Sequence, residues 1–82
     1  MKKKPYKPRY DSWPYRIIEY LYEHGESKSA DIRSDIGLDE WYSHSVYPDR
    51  SSYEFWFMIT KLVNHGIVIR TRRGYYTLKP SK

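Results

Sequence analysis

The stretch IVIRTRRGYYTL, residues 67–78, holds Arg70, Arg72 and Arg73 beside a glycine and two tyrosines. A guanidinium presents a planar fork of N–H donors and stays charged in proteins. Three of them so close together suit recognition of carboxylate or phosphate oxygens. Apolar residues alternate on either side of RRG, which reads as a β-hairpin with Arg72 and Arg73 at its tip and Arg70 one step down the first strand. A charged hairpin resists edge-to-edge aggregation, but lysines of mixed company would do that as well. The cluster points to an anionic partner.

Other chemistry is sparse. His24, His44 and His65 lie far apart, with no HxxxH or HxH pair, and a metal site would need them to converge with a carboxylate. His24 and His65 each precede a helix-ending glycine, where an imidazole can interact with the C-terminal helix dipole. No Gly-rich phosphate loop and no nucleophile elbow is present. The chain has no cysteine, which removes disulfides and thiolate zinc sites. The expectation is a chain that is not an enzyme and takes no cofactor, metal or small-molecule ligand.

The charge is arranged in blocks. Residues 1–10 carry Lys2, Lys3, Lys4, Lys7 and Arg9 and no acid. Residues 67–82 carry Arg70, Arg72, Arg73, Lys79 and Lys82, again with no acid. All ten acids fall between Asp11 and Glu54. Two acid-free basic segments give two places to meet a polyanion. No apolar run reaches membrane-spanning length, and the lysine-rich start lacks a signal-peptide core. The expected location is cytoplasmic, with no membrane partner.

These groups must be positioned by a small domain, because the chain has 82 residues and its core is thin. Ten tyrosines and three tryptophans offer much buried area per residue. Residues 1–12 read as a flexible basic arm with two prolines, residues 13–79 as the folded unit, and 80–82 as a tail. A first helix starts near Trp13–Pro14, capped by Asp11 or Ser12, with Ile17, Ile18 and Leu21 as its stripe, Tyr22 at its end, and Gly25 as terminator. After a tight GESK connection, SADIRSDI forms a second helix, with Ser29 as cap, Ile32 and Ile36 on one face, and Gly37 at the end. Residues 38–50 read as a long loop, with Trp41, Val46 and Tyr47 as its anchors to the core and room for one helical turn around Asp39–Tyr42. A third helix opens on SSYE, where Ser51 and Glu54 fit a capping box. Its stripe is Phe55, Met58, Ile59 and Leu62, with Val63 at the edge, and Gly66 ends it. Strands 67–71 and 75–79 follow.

This order resembles the winged helix-turn-helix family of DNA-binding domains. The likeness is carried by GESKSADIRSDIG, a helix-turn-helix opening, and by ITKLVNHGIVIRTRRGYYTL, the end of a recognition helix, its exit and a wing. It spans about residues 14–78. The small size, tyrosine content, lack of cysteine and basic arm look like those of compact winged-helix regulators from archaea, their viruses and plasmids. The implied fold is α+β, three helices followed by a C-terminal two-stranded β-hairpin wing. The long 38–50 segment departs from the family pattern, which suits either a changed presentation of the third helix or a dimer contact.

The resemblance implies a partner, double-stranded DNA, and a role in transcription regulation. At about 100° per residue, Tyr53, Phe57, Thr60 and Asn64 lie opposite the core stripe of the third helix, flanked by Trp56 and Lys61. The resemblance puts these with Ser52 in or near the major groove, where a helix can reach base edges. Thr60 and Asn64 suit base hydrogen bonds, and Lys61 suits a phosphate. Trp56 and Phe57 allow three readings: contact with thymine methyls, packing on a partner, or cover by the 38–50 segment. Arg70, Arg72 and Arg73 would meet phosphates or a narrow minor groove, and the arm lysines with Arg9 would track phosphates. A homodimer is expected, since one small module reads few bases. Its candidate surfaces are Trp13, Tyr15, Tyr20 and Tyr22 and the 38–50 segment. The competing reading is a winged-helix module that binds protein through the aromatic face of the third helix. Single strands or RNA fit less well, because no strand carries a row of aromatics.

Overall fold

The computed structural model describes residues 9–80. The elements run α1 (Trp13–His24), β1 (Ser27–Lys28), α2 (Ser29–Asp35), α3 (Leu38–Ser43), α4 (Arg50–Asn64), β2 (Val68–Arg72) and β3 (Tyr75–Leu78). The class is α+β, as expected. The described residues form four helices and three antiparallel strands in the order β1-β3-β2, rather than three helices and two strands.

The first helix forms as its sequence dictates. The Tyr15 N–H donates to the Ser12 Oγ at 3.4 Å, and Pro14 occupies the first turn, where its missing N–H costs nothing. Asp11 does not cap. It sits at a φ of 61° and pairs with Arg16 at 3.1 Å, which holds its carboxyl below the ordinary value. Ile17 and Leu21 are buried, Ile18 packs at the edge of the core, and Tyr22 is 81% exposed, outside the stripe.

The extra strand explains the displaced second cap. Ser27 and Lys28 pair with Tyr76 and Tyr75, so Lys28 is extended and holds the cap position, while Ser29 is already helical. The Ser29 N–H donates to the Gly74 carbonyl at 2.9 Å, which ties the start of α2 to the β2–β3 turn. A two-residue strand has no periodicity to read; only its partner reveals it.

The segment after α2 is not an open loop. Gly37 takes a φ of 91°, a conformation that favours glycine, and turns the chain directly into α3. Leu38 is fully buried and Tyr42 packs against the core. Trp41, Val46 and Tyr47 are exposed and do not anchor it. Arg33 and Asp39 approach to 3.4 Å between α2 and α3, an ion pair whose facing atoms make no hydrogen bond.

The capping box on α4 does not form either. The helix begins two residues earlier than a Ser51 cap would set it, at Arg50, with Asp49 before it and no side-chain cap. Ser51 turns inward and is buried, while Glu54 pairs with Arg50 at 3.0 Å, one turn away. The exit is as expected. Gly66 at a φ of 74° lets its own N–H reach Val63 O and the Ile67 N–H reach Leu62 O, both at 3.0 Å. This pair of bonds satisfies the last carbonyls of the helix.

The core joins all four helices to the hairpin: Ile17, Leu21, Ile32, Leu38, Phe55, Ile59, Leu62 and Val68. The register of β2 against β3 runs Val68↔Leu78, Ile69↔Thr77, Arg70↔Tyr76, then Arg72↔Tyr75, so Thr71 is bulged out. Val68, Leu78 and Tyr76 face the helices, with the Tyr76 ring 6.5 Å from that of Phe55. Among the described residues no helix is long and apolar enough to cross a membrane.

Candidate nucleic-acid interface

Two features position the charged and aromatic groups: the outer face of α4 and the β2–β3 hairpin. Burial of Ser51, Phe55, Ile59 and Leu62 fixes the rotation of α4. The opposite face then carries Ser52, Tyr53, Trp56, Phe57, Lys61 and Asn64, all exposed, with Thr60 half-buried at its margin. The helix-face reading of the sequence holds for Tyr53, Trp56, Phe57, Lys61 and Asn64, whereas Thr60 lies at the margin rather than opposite the core. The Ser52 hydroxyl donates to the Asp49 carbonyl at 3.3 Å, a local bond at the helix start.

The aromatic residues form a ridge. Tyr53 and Phe57 meet edge to face at 4.8 Å, and Trp56 and Phe57 at 5.5 Å. Trp56 is 56% exposed and Phe57 49%. The 38–50 segment does not cover them, because α3 spends its apolar side on the core through Leu38 and Tyr42. That reading of the ridge is overturned. Beside it, Pro14 of α1 and Phe57, Met58, Thr60, Lys61, Asn64 and His65 of α4 and its exit line an open cleft of about 450 Å³.

On the hairpin, Arg70, Arg72 and Arg73 are all exposed, but they are not equivalent. Arg72 reaches the Glu26 carboxylate at 3.4 Å, and its guanidinium lies 3.9 Å from the centroid of the Tyr75 ring. Arg16, Arg33 and Arg50 also pair with acids. Among the described residues, Arg70 and Arg73 have no ion pair with a carboxylate. The hairpin thus presents two uncompensated guanidiniums and one that already has an anion.

No protein-family model matches this chain, and neither a curated protein nor a solved structure matches it.

The arm residues Lys2, Lys3, Lys4 and Lys7 lie outside the described residues. Arg9 is exposed, and its carbonyl accepts from Ser12. Of the proposed dimer residues, Trp13 and Tyr20 pack against the core. Tyr20 donates to Asp35 at 2.8 Å, and Tyr22 remains exposed beside Tyr15 and Ile18. Among the described residues no group of three or more His or acidic side chains could hold a metal. Glu26, Lys28 and Tyr75 had no place in the sequence reading of the site. Their only signal is the β1–β3 pairing, which no local pattern encodes.

Proposed function

We propose that this chain is a winged helix-turn-helix protein that binds double-stranded DNA in a sequence-specific way and regulates transcription. In this reading α4 enters the major groove. Thr60 and Asn64 address base edges, Lys61 addresses a phosphate, and the β2–β3 hairpin is the wing. The observation that carries the reading is the pair Arg70 and Arg73, exposed on the hairpin without a carboxylate partner among the described residues. A folded chain has little use for two uncompensated guanidiniums on a short hairpin, whereas the phosphate backbone draws most of its binding energy from such groups. The basic residues of positions 1–10 carry charge of the same sign, and in this reading the protein works on nucleoid DNA in the cytoplasm. Two copies on a two-fold site would double the base readout, and the Tyr15, Ile18 and Tyr22 strip of α1 and the exposed Trp41, Val46 and Tyr47 of the 38–50 segment are the surfaces they could share.

Selection from a random duplex pool tests this reading. The expected result is enrichment of a common site, with Thr60→Ala and Asn64→Ala relaxing the preference at individual positions by about 1–3 kcal/mol each. A pool that stays random after selection, or no binding at low salt, contradicts it.

The ridge supports a second reading, a module that binds protein. Three half-exposed rings on one helix make an apolar surface of the kind that marks interaction sites. Trp56→Ser separates the two. In the DNA reading it lowers affinity for the selected duplex; in the protein reading no duplex is selected, and the variant loses a protein partner instead.

A further inference from the structure

The outer face of the sheet gathers three charged groups around one ring. Lys28 of β1 and Arg72 of β2 both pair directly with Tyr75 of β3, so all three share a face. The Lys28 Nζ lies 5.9 Å and the Arg72 guanidinium carbon 3.9 Å from the centroid of Tyr75. Glu26, one residue before β1, meets the Arg72 Nη2 at 3.4 Å. Since β3 is the middle strand, Arg72 reaches across it to find this acid.

The two attachments of Arg72 differ in kind. The ring orients the guanidinium without neutralising it. The carboxylate neutralises it, but loosely: the two side chains are 66% and 41% exposed, and an ion pair this wet contributes about 0–1 kcal/mol. An anion with more oxygens and a second cation within reach can take the place of Glu26 while the stack keeps the guanidinium aimed. The bulge at Thr71 makes this possible. Without it Arg72 would fall on the same face as Arg70, away from Tyr75.

We propose that Arg72 and Lys28 form a phosphate-binding site over the ring of Tyr75, held in the free protein by the Glu26 carboxylate, which a backbone phosphate displaces. The site rests on the nucleic-acid reading for its source of phosphate, not for its chemistry. Glu26 is then a brake: it makes every DNA contact at Arg72 an exchange of anions and weakens indiscriminate binding.

The test is a cycle of Glu26→Gln, Arg72→Ala and the double variant, binding a random-sequence duplex. Glu26→Gln is expected to tighten binding roughly two- to fivefold. Arg72→Ala weakens it and lowers the log–log salt slope by about 0.9. In the Arg72→Ala background the gain from Glu26→Gln collapses. An unchanged affinity in Glu26→Gln, or a gain of equal size without Arg72, overturns the proposal, because the acid then acts through general charge or not at all. Inorganic phosphate, followed by NMR at the Arg72 side chain and the Tyr75 ring, separates this inference from the reading it rests on. Shifts at both groups that come at lower phosphate in Glu26→Gln, with no duplex binding, sustain the site and sink the DNA reading. No response to either probe sinks both.

Discussion

Arg70 and Arg72 are two residues apart on one strand, yet they face opposite sides of the sheet. Arg70 pairs with Tyr76 and Arg72 with Tyr75, because Thr71 is bulged between them. In a regular strand, residues i and i+2 share a face. The bulge spreads the hairpin guanidiniums over both faces of the sheet.

The separation predicts independence. Arg70→Ala and Arg72→Ala should each weaken duplex binding, and the double variant should lose the sum to within about 0.5 kcal/mol. Binding isotherms at one fixed salt concentration check this. A double variant no weaker than either single one would mean that the two side chains serve one contact.

The burial pattern predicts where the 38–50 segment is held. Leu38 is fully buried, while Val46 is 86% exposed. Leu38→Ala should cost about 2–5 kcal/mol, and Val46→Ala should fall within about 0.5 kcal/mol of the native protein. Urea unfolding of both variants decides it. Equal costs would place the anchor elsewhere.

Tyr20 predicts a pH dependence at the alkaline end. Its hydroxyl donates to Asp35 at 2.8 Å, and this bond, with burial adding to it, raises the phenol above its ordinary value of 10.0. A group whose folded pKa is raised contributes fully below its unfolded pKa, and the contribution is lost as pH rises through the folded one. Tyr20→Phe should therefore be less stable than the native protein near neutrality by about 0.5–1 kcal/mol. That gap should close above pH 10. Denaturant melts at the two pH values measure it, and a gap that stays constant would mean the bond is not formed.

Much of this was legible before the structure. The stripes of α1 and α4 and the glycines at 25 and 66 marked element type and ends, because helix periodicity and a glycine stop at positive φ are local. The outer face of α4 followed from the stripe by rotation alone. Three things were not legible, and each depends on a remote partner. Strand β1 exists only because β3 lies beside it. Leu38, rather than the larger Trp41, anchors α3 because Gly37 sets the helix phase. Ser51 and Glu54 have the spacing of a capping box, but packing of Phe55 and Ile59 draws Ser51 inward and the helix starts at Arg50. The partner of Arg72 was hidden for the first of these reasons, since Glu26 is distant in sequence and comes near only through the sheet.

A salt titration would show whether the hairpin cations hold a nucleic-acid backbone. Duplex affinity would be measured across a range of salt for the native protein and for Arg70→Ala/Arg73→Ala. The expected result is a steep fall in affinity with salt for the native protein and a slope shallower by about 1.8 in the variant, about 0.9 for each lost phosphate contact. Equal slopes, or no duplex binding at low salt, would contradict it and leave the aromatic ridge of α4 as the surface to pursue.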